Sequence, residues 1–284
     1  LACGTIFSCV VGIIGQWFRR RRGIAMGLMT GSGSIGSTVF PIVVRRLIKD
    51  IGFPWTMRVI AFILIFNMGI AFLAMRRRLP PANSSGAILN LKAFTNPSYA
   101  LWCLATFTAY LGIYTVLTYI NVSATTYGIS PDTAFYLVSI VNASSGIGRI
   151  ITGIWADRFN ALNVIGPMTM IAGAVTYAWP FAQTLASMIV VAVIYGSTSG
   201  AYASLFFIPV FELGEISDVG RRTGMTMSIA ALGAVAGPPI SGAIYTATGS
   251  FEAMGYYAGS AVLLAVIQIY IVRYLVFRDS RGIF

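Results

Sequence analysis

Nine apolar stretches, each long enough to cross a bilayer, take up nearly all of this 284-residue chain. They run roughly over 1–18, 24–48, 54–75, 98–120, 132–155, 162–181, 185–210, 224–247 and 254–277. A helix needs about 20 residues to span the hydrocarbon core. No water is present there to take up backbone amides, so runs this long and apolar are predicted to be transmembrane helices. The expected fold class is all-α, a polytopic transmembrane helix bundle. Function must be sought between helices, because no stretch is left over for a soluble domain.

Charge sets the orientation. The net charge of +11 would ordinarily raise nucleic acid as a partner, but Arg19–Arg22 and Arg76–Arg78 abut membrane spans and form no soluble patch. Fourteen of the nineteen Lys and Arg fall at one set of helix ends, against four (Arg45, Arg46, Lys49, Arg58) at the other. The positive-inside rule makes the richer side cytoplasmic, and the C-terminus with it. The chain opens inside an apolar span with no initiator Met or basic flank, which reads as a fragment lacking upstream helices.

Function classes narrow quickly. The absence of histidine removes imidazole metal sites and proton relays. Cys3, Cys9 and Cys103 all lie in spans and read as small packing residues. No HExxH, P-loop, GxSxG or pair of intramembrane acids is present, so an enzyme, a metal and a cofactor are not expected. The polar stretch 76–97, with Pro80-Pro81, divides the chain: 1–78 as three helices of one bundle, 79–97 as a cytoplasmic linker, 98–284 as a six-helix bundle. A shift of about 200 positions lays Arg21-Arg22 on Arg221-Arg222 and Gly33 on Gly233, the mark of an internal repeat such as secondary transporters use.

Small residues recur at fourfold spacing: Gly23, Gly27 and Gly31; Gly196 and Gly200; Gly233 and Gly237. In lipid, apolar side chains gain little by meeting each other, so close helix approach depends on such positions. Pro41, Pro209 and Pro238-Pro239 are predicted to kink their helices. Near the cytoplasmic surface, Glu212, Glu215 and Asp218 are expected to form exposed ion pairs with Arg221 and Arg222.

Arg149 is the basic residue that no membrane surface explains. It lies eight residues before Asp157, hence about 12 Å deep. An arginine at that depth costs ~2.5–3.5 kcal/mol on insertion scales and must face protein or water. Asn142, Ser145 and Arg149 stand at i, i+3 and i+7, on one helical face. A guanidinium flanked by amide and hydroxyl suits a carboxylate ligand held bidentately. A structural arginine bonded to carbonyls or tyrosines is the other reading. Tyr110 and Tyr114, one turn apart on the preceding helix, either face the same cavity or pack.

Three motifs carry a resemblance. Gly153-Ile-Trp-Ala-Asp157-Arg158 resembles the Gly-x-x-x-Asp-Arg signature of the major facilitator superfamily. Trp17–Gly36 and Gly237–Gly259 resemble its monocarboxylate-transporter-like members, especially the fungal branch, and the match aligns the chain with helices 4 to 12 of a twelve-helix protein lacking its first three helices. The resemblance implies a multi-pass protein of the plasma membrane or an organelle membrane. Its two bundles would alternate access to a small organic anion, often with a proton as the coupled partner. It implies that Gly153, Asp157 and Arg158 gate the cytoplasmic side through charge pairs. Arg149 matches the family's helix-8 arginine, while Ser145 stands where an aspartate is expected. A solute receptor without flux and an inert truncated product are the alternatives.

Overall fold

The computed structural model describes residues 2–18, 20–76, 78, 89–214 and 218–281, with side chains at all of these except 2–5, 8 and 279–281. Arg19, Arg77, Pro80-Pro81 and Glu215 lie outside the described residues. The chain is helical: α1 (Ala2–Trp17), α2 (Arg22–Ala74), α3 (Pro97–Ile113), α4 (Thr115–Thr126), α5 (Pro131–Phe159), α6 (Ala161–Ala178), α7 (Leu185–Leu205), α8 (Ile208–Glu212), α9 (Val219–Thr248) and α10 (Phe251–Arg281). Seven of the uninterrupted helical runs are long and apolar enough to cross a membrane. The protein is an integral, multi-pass membrane protein.

α2 is two spans. A straight helix of 53 residues would reach about 80 Å, far beyond one bilayer. The run breaks at Gly52, whose φ of 75° and ψ of 166° favour glycine over any residue with a Cβ. The second arm then returns to the level of α1, where the Trp17 indole donates to the Arg76 carbonyl at 2.9 Å. Near the position that the 200-residue shift lays on this break, α9 ends on Gly249, also at positive φ, 67°. The second arm of α2 presents its apolar side chains outward, with Phe72 81% exposed, as a lipid-facing helix does.

Proline behaves differently from place to place. Pro41 and Pro238-Pro239 lie inside continuous helices, and the Pro238 carbonyl accepts from the Tyr119 hydroxyl at 2.9 Å. Pro209 does mark a break, because it offers no N–H to the preceding turn. α7 ends at Leu205 and α8 restarts at Ile208, with Phe206 and Phe207 between them.

α5 lies between the first arm of α2 and α7, while α3 packs on α9 and α10. The glycine stripes form these seams. A Cβ on Gly27 would sit 2.5 Å from the Arg149 carbonyl oxygen, and one on Gly200 2.6 Å from that of Ser145. Gly233 and Gly237 meet the backbone of α3 at Phe107 and Leu111. Backbone-to-backbone contact of this kind supplies the dispersion that lipid cannot.

Of the residues expected in an exposed ion-pair cluster, Asp218 and Arg222 are buried, Arg221 is partly exposed and Glu212 is exposed. Asp218 pairs with Arg221 at 2.5 Å and Arg222 at 3.8 Å, and Arg222 is 2% exposed. Asn90 donates to Asp218 at 2.6 Å, Arg222 to the Val210 carbonyl at 3.0 Å, and Tyr99 to the Arg222 carbonyl at 2.9 Å. The approach to α3 therefore covers the α8–α9 turn.

Candidate functional site

The two seams of α5 fix its rotation, and that rotation decides where Arg149 goes. With Gly146 and Gly153 against α2, and Gly148 against Ser197 of α7, the face bearing Asn142, Ser145 and Arg149 is turned toward the space bordered by α3, α4 and α7. Arg149 Nε donates to the Ser145 hydroxyl at 3.2 Å, and Nη1 to the Thr30 carbonyl of α2 at 2.7 Å. No carboxylate among the described residues lies within ion-pair distance of it. A guanidinium has five N–H donors, so two anchor it and three, toward its far edge, remain for a ligand. Ser145, in place of the aspartate the resemblance leads one to expect, positions the arginine without neutralising it.

Two adjoining cavities meet at this residue. The larger, of about 380 Å³, is lined by Phe7, Met29, Thr30, Ser32, Gly33, Tyr110, Tyr114, Arg149, Ala203, Phe206, Phe207 and Met227. The smaller, of about 60 Å³, is bordered by Asn142, Ser145, Tyr195, Ser199 and Tyr202, and shares Tyr110, Tyr114 and Arg149 with the first. The structure thus brings the five residues singled out in the sequence to one connected space. Tyr110 is buried and its ring stands 5.4 Å from that of Tyr114, which sits at the interruption between α3 and α4. Among the described residues Arg149 is the one charged side chain on either wall.

Sequence reasoning missed the α7 contribution. Tyr195, Ser199 and Tyr202 stand at i, i+4 and i+7 in an apolar helix, a one-face polar spacing of the same kind as the i, i+3, i+7 set that drew attention to α5. Phe206 and Phe207 enter the larger cavity because the helix breaks there, and the Phe7 ring of α1 lies 5.2 Å from Phe207.

At the Asp157 end of α5 the same helices close together. Gly153 meets Gly23 so tightly that a Cβ on either would overlap the other's backbone. Asp157 accepts from the backbone N–H of Gly23 at 2.6 Å and of Ile24 at 2.9 Å, at the start of α2. The resemblance implies charge pairs here; the contact seen is a carboxylate on a helix N-terminus, where unpaired amides and the helix dipole both favour an anion. Arg158 lies over the Phe159 ring at 5.5 Å. At the opposite end of the same helix pair, Arg45 of α2 pairs with Asp132 in the first turn of α5.

Comparison with known proteins bears on the fold and family. The Major Facilitator Superfamily model matches residues 1–205 and, in a second alignment, 102–282. The MFS transporter asaE of Aspergillus flavus is 34% identical over 93% of this chain and 60% of its own length. An MFS-type transporter of Gibberella moniliformis is 36% identical over 89% and 61%. The aspyridones efflux protein apdF of Emericella nidulans is 30% identical over 93% and 54%. The chain therefore spans 54–61% of the length of these relatives. Among solved structures, the E. coli fucose:proton symporter superposes with a TM-score of 0.61 at 19% identity, covering 80% of this chain and 56% of that one. Family model, relatives and shared fold converge: the chain belongs to the Major Facilitator Superfamily.

Proposed function

We propose that the protein is a secondary active transporter that moves a small organic anion by alternating access around Arg149. The observation that carries this reading is the anchored guanidinium at the junction of two cavities, with no protein carboxylate to neutralise it among the described residues. A cation at this depth needs polar partners or water around it; the Thr30 carbonyl and the Ser145 hydroxyl take up two of its donors, and its remaining forked edge matches a carboxylate. Asn142, Ser145, Tyr110 and Tyr114 supply further polar contacts around it. Gly153, Asp157 and Arg158 form the cytoplasmic gate.

Monocarboxylate-like character is supported by the motif resemblance, and transport itself by the fungal relatives. Two of those carry efflux names, for aspyridones and for agnestins, which supports export across the plasma membrane as the direction. The described spans hold no carboxylate near mid-depth. A coupled proton would therefore travel on the substrate's own carboxyl or use groups outside the described residues. Counterflow in proteoliposomes tests the reading with the full-length protein. Unlabelled anion trapped inside should drive accumulation of labelled anion from outside; saturable binding with no exchange would instead identify a receptor.

A further inference from the structure

Resting on the anion site just proposed, the shape and chemistry of the two cavities narrow the ligand. Tyr195 and Tyr202 are each 1% exposed and line the smaller cavity, yet neither hydroxyl has a hydrogen-bond partner among the described residues. A buried phenol is seldom left unpaired, so two such tyrosines bordering one cavity point to a partner that arrives from outside the protein. The smaller cavity, at about 60 Å³, has room for a carboxylate group or a few waters and for no larger group.

The larger cavity has the opposite character. Its volume of about 380 Å³ falls in the range that holds drug-sized ligands, ~300–1,000 Å³. Pyruvate would leave most of it to water. Its wall is aromatic and thioether. The Tyr110 ring meets Tyr202 and Phe206 edge-on at 5.7 and 5.8 Å, Phe207 adjoins Phe206, and Met29 and Met227 complete the lining. Ring faces and edges of this kind favour a flat unsaturated body, and methionine adapts to its outline.

We infer that the substrate is an amphipathic organic anion: a carboxylate or comparably acidic oxyanion docks on Arg149 with an oxygen accepting from Tyr195 and Tyr202, and a ring-bearing apolar body fills the chamber against Tyr110, Phe206 and Phe207. The phenols determine specificity by donating to the head group. The aromatic wall sets a lower limit on the size of the body.

Equilibrium binding of radiolabelled 1-naphthoate and pyruvate to the full-length protein tests this. Naphthoate should bind at least about tenfold tighter, since burial of even part of its ring system at ~25 cal/mol per Å² exceeds that ratio. Tyr195→Phe and Tyr202→Phe should each weaken naphthoate roughly five- to tenfold while leaving the ligand-free Tm unchanged or raised, because the deleted hydroxyl leaves no protein partner behind. A tyrosine that merely packs would show no such opposition between affinity and stability. Phe206→Ala should abolish most of the preference for naphthoate over pyruvate. Equal binding of the two acids, or wild-type naphthoate affinity in both Tyr→Phe variants, overturns the inference. If Arg149→Lys still abolishes binding of both acids in that case, the anion site stands and only its ligand class is wrong. Failure of the full-length protein to bind either acid, or binding of both that survives Arg149→Lys, removes the anion site and this inference with it.

Discussion

Asp157 accepts the backbone N–H of Gly23 at 2.6 Å across a separation of 134 residues, and this contact ties the end of α5 to the start of α2. Midway along the same antiparallel pair, Arg149 donates to the Thr30 carbonyl; at the far end Arg45 holds Asp132. One helix from each half of the chain is thus joined at three depths, and the middle joint is the proposed substrate arginine. Alternating access requires the inner and outer joints to open in turn, while an anion competes for the donors of the middle one.

Removing the inner joint should bias the protein toward an open cytoplasmic side. Loss of an N-terminal cap costs about 0.5–2 kcal/mol, so Asp157→Ala should raise the open population roughly twofold to thirtyfold. Maleimide labelling of Thr30→Cys from the cytoplasmic side, in a background without other cysteines, reads the change. Asp157→Asn should label nearly as slowly as the parent, because an amide oxygen also caps a helix.

Close approach at Gly153 is the second inner requirement. A Cβ there overlaps the Gly23 backbone, so Gly153→Val should block closure and abolish exchange while the protein still inserts and purifies normally. A Cβ on Gly69 meets nothing within 4 Å, and Gly69→Ala should exchange at the parental rate.

The outer joint is exposed, with Asp132 at 79%, and pairs of this kind contribute about 0–1 kcal/mol. Arg45→Asp should therefore leave the Tm nearly unchanged yet alter the exchange rate a few-fold. The charge-swapped double variant, Arg45→Asp with Asp132→Arg, should recover the rate.

Stability should be far more sensitive at Arg222. Replacing it by Met takes the donor from the Val210 carbonyl and leaves Asp218, 8% exposed, with Arg221 as its ionic partner, a loss of about 1–3 kcal/mol. Thermal unfolding in detergent should show a clear fall in Tm, deepened by adding Arg221→Met, which strands the carboxylate at a cost of about 3–5 kcal/mol.

The spans were legible because bilayer thickness dictates their length, and the break between residues 48 and 54 was visible as a polar interval before Gly52 explained it. Asn142, Ser145 and Arg149 could be grouped because helical periodicity fixes their common face. What periodicity does not carry was missed. The Asp157 contact ends on backbone amides, which no residue type announces. Burial of Asp218 and Arg222 depends on Asn90, 128 positions from Asp218, folding over the turn. The aromatic wall depends on the local break at Phe206 and Phe207. Tyr195 and Tyr202 had a readable spacing, but their unpaired hydroxyls emerge only once α7 is set against α5.

The most direct test replaces the forked donor and keeps the charge. Arg149→Lys in the full-length protein, assayed by anion counterflow in proteoliposomes, should lose at least about tenfold in exchange while insertion and Tm stay near the parent, because an ammonium cannot reproduce the planar two-point contact. Exchange at the parental rate would contradict the proposed role and return Arg149 to the scaffold.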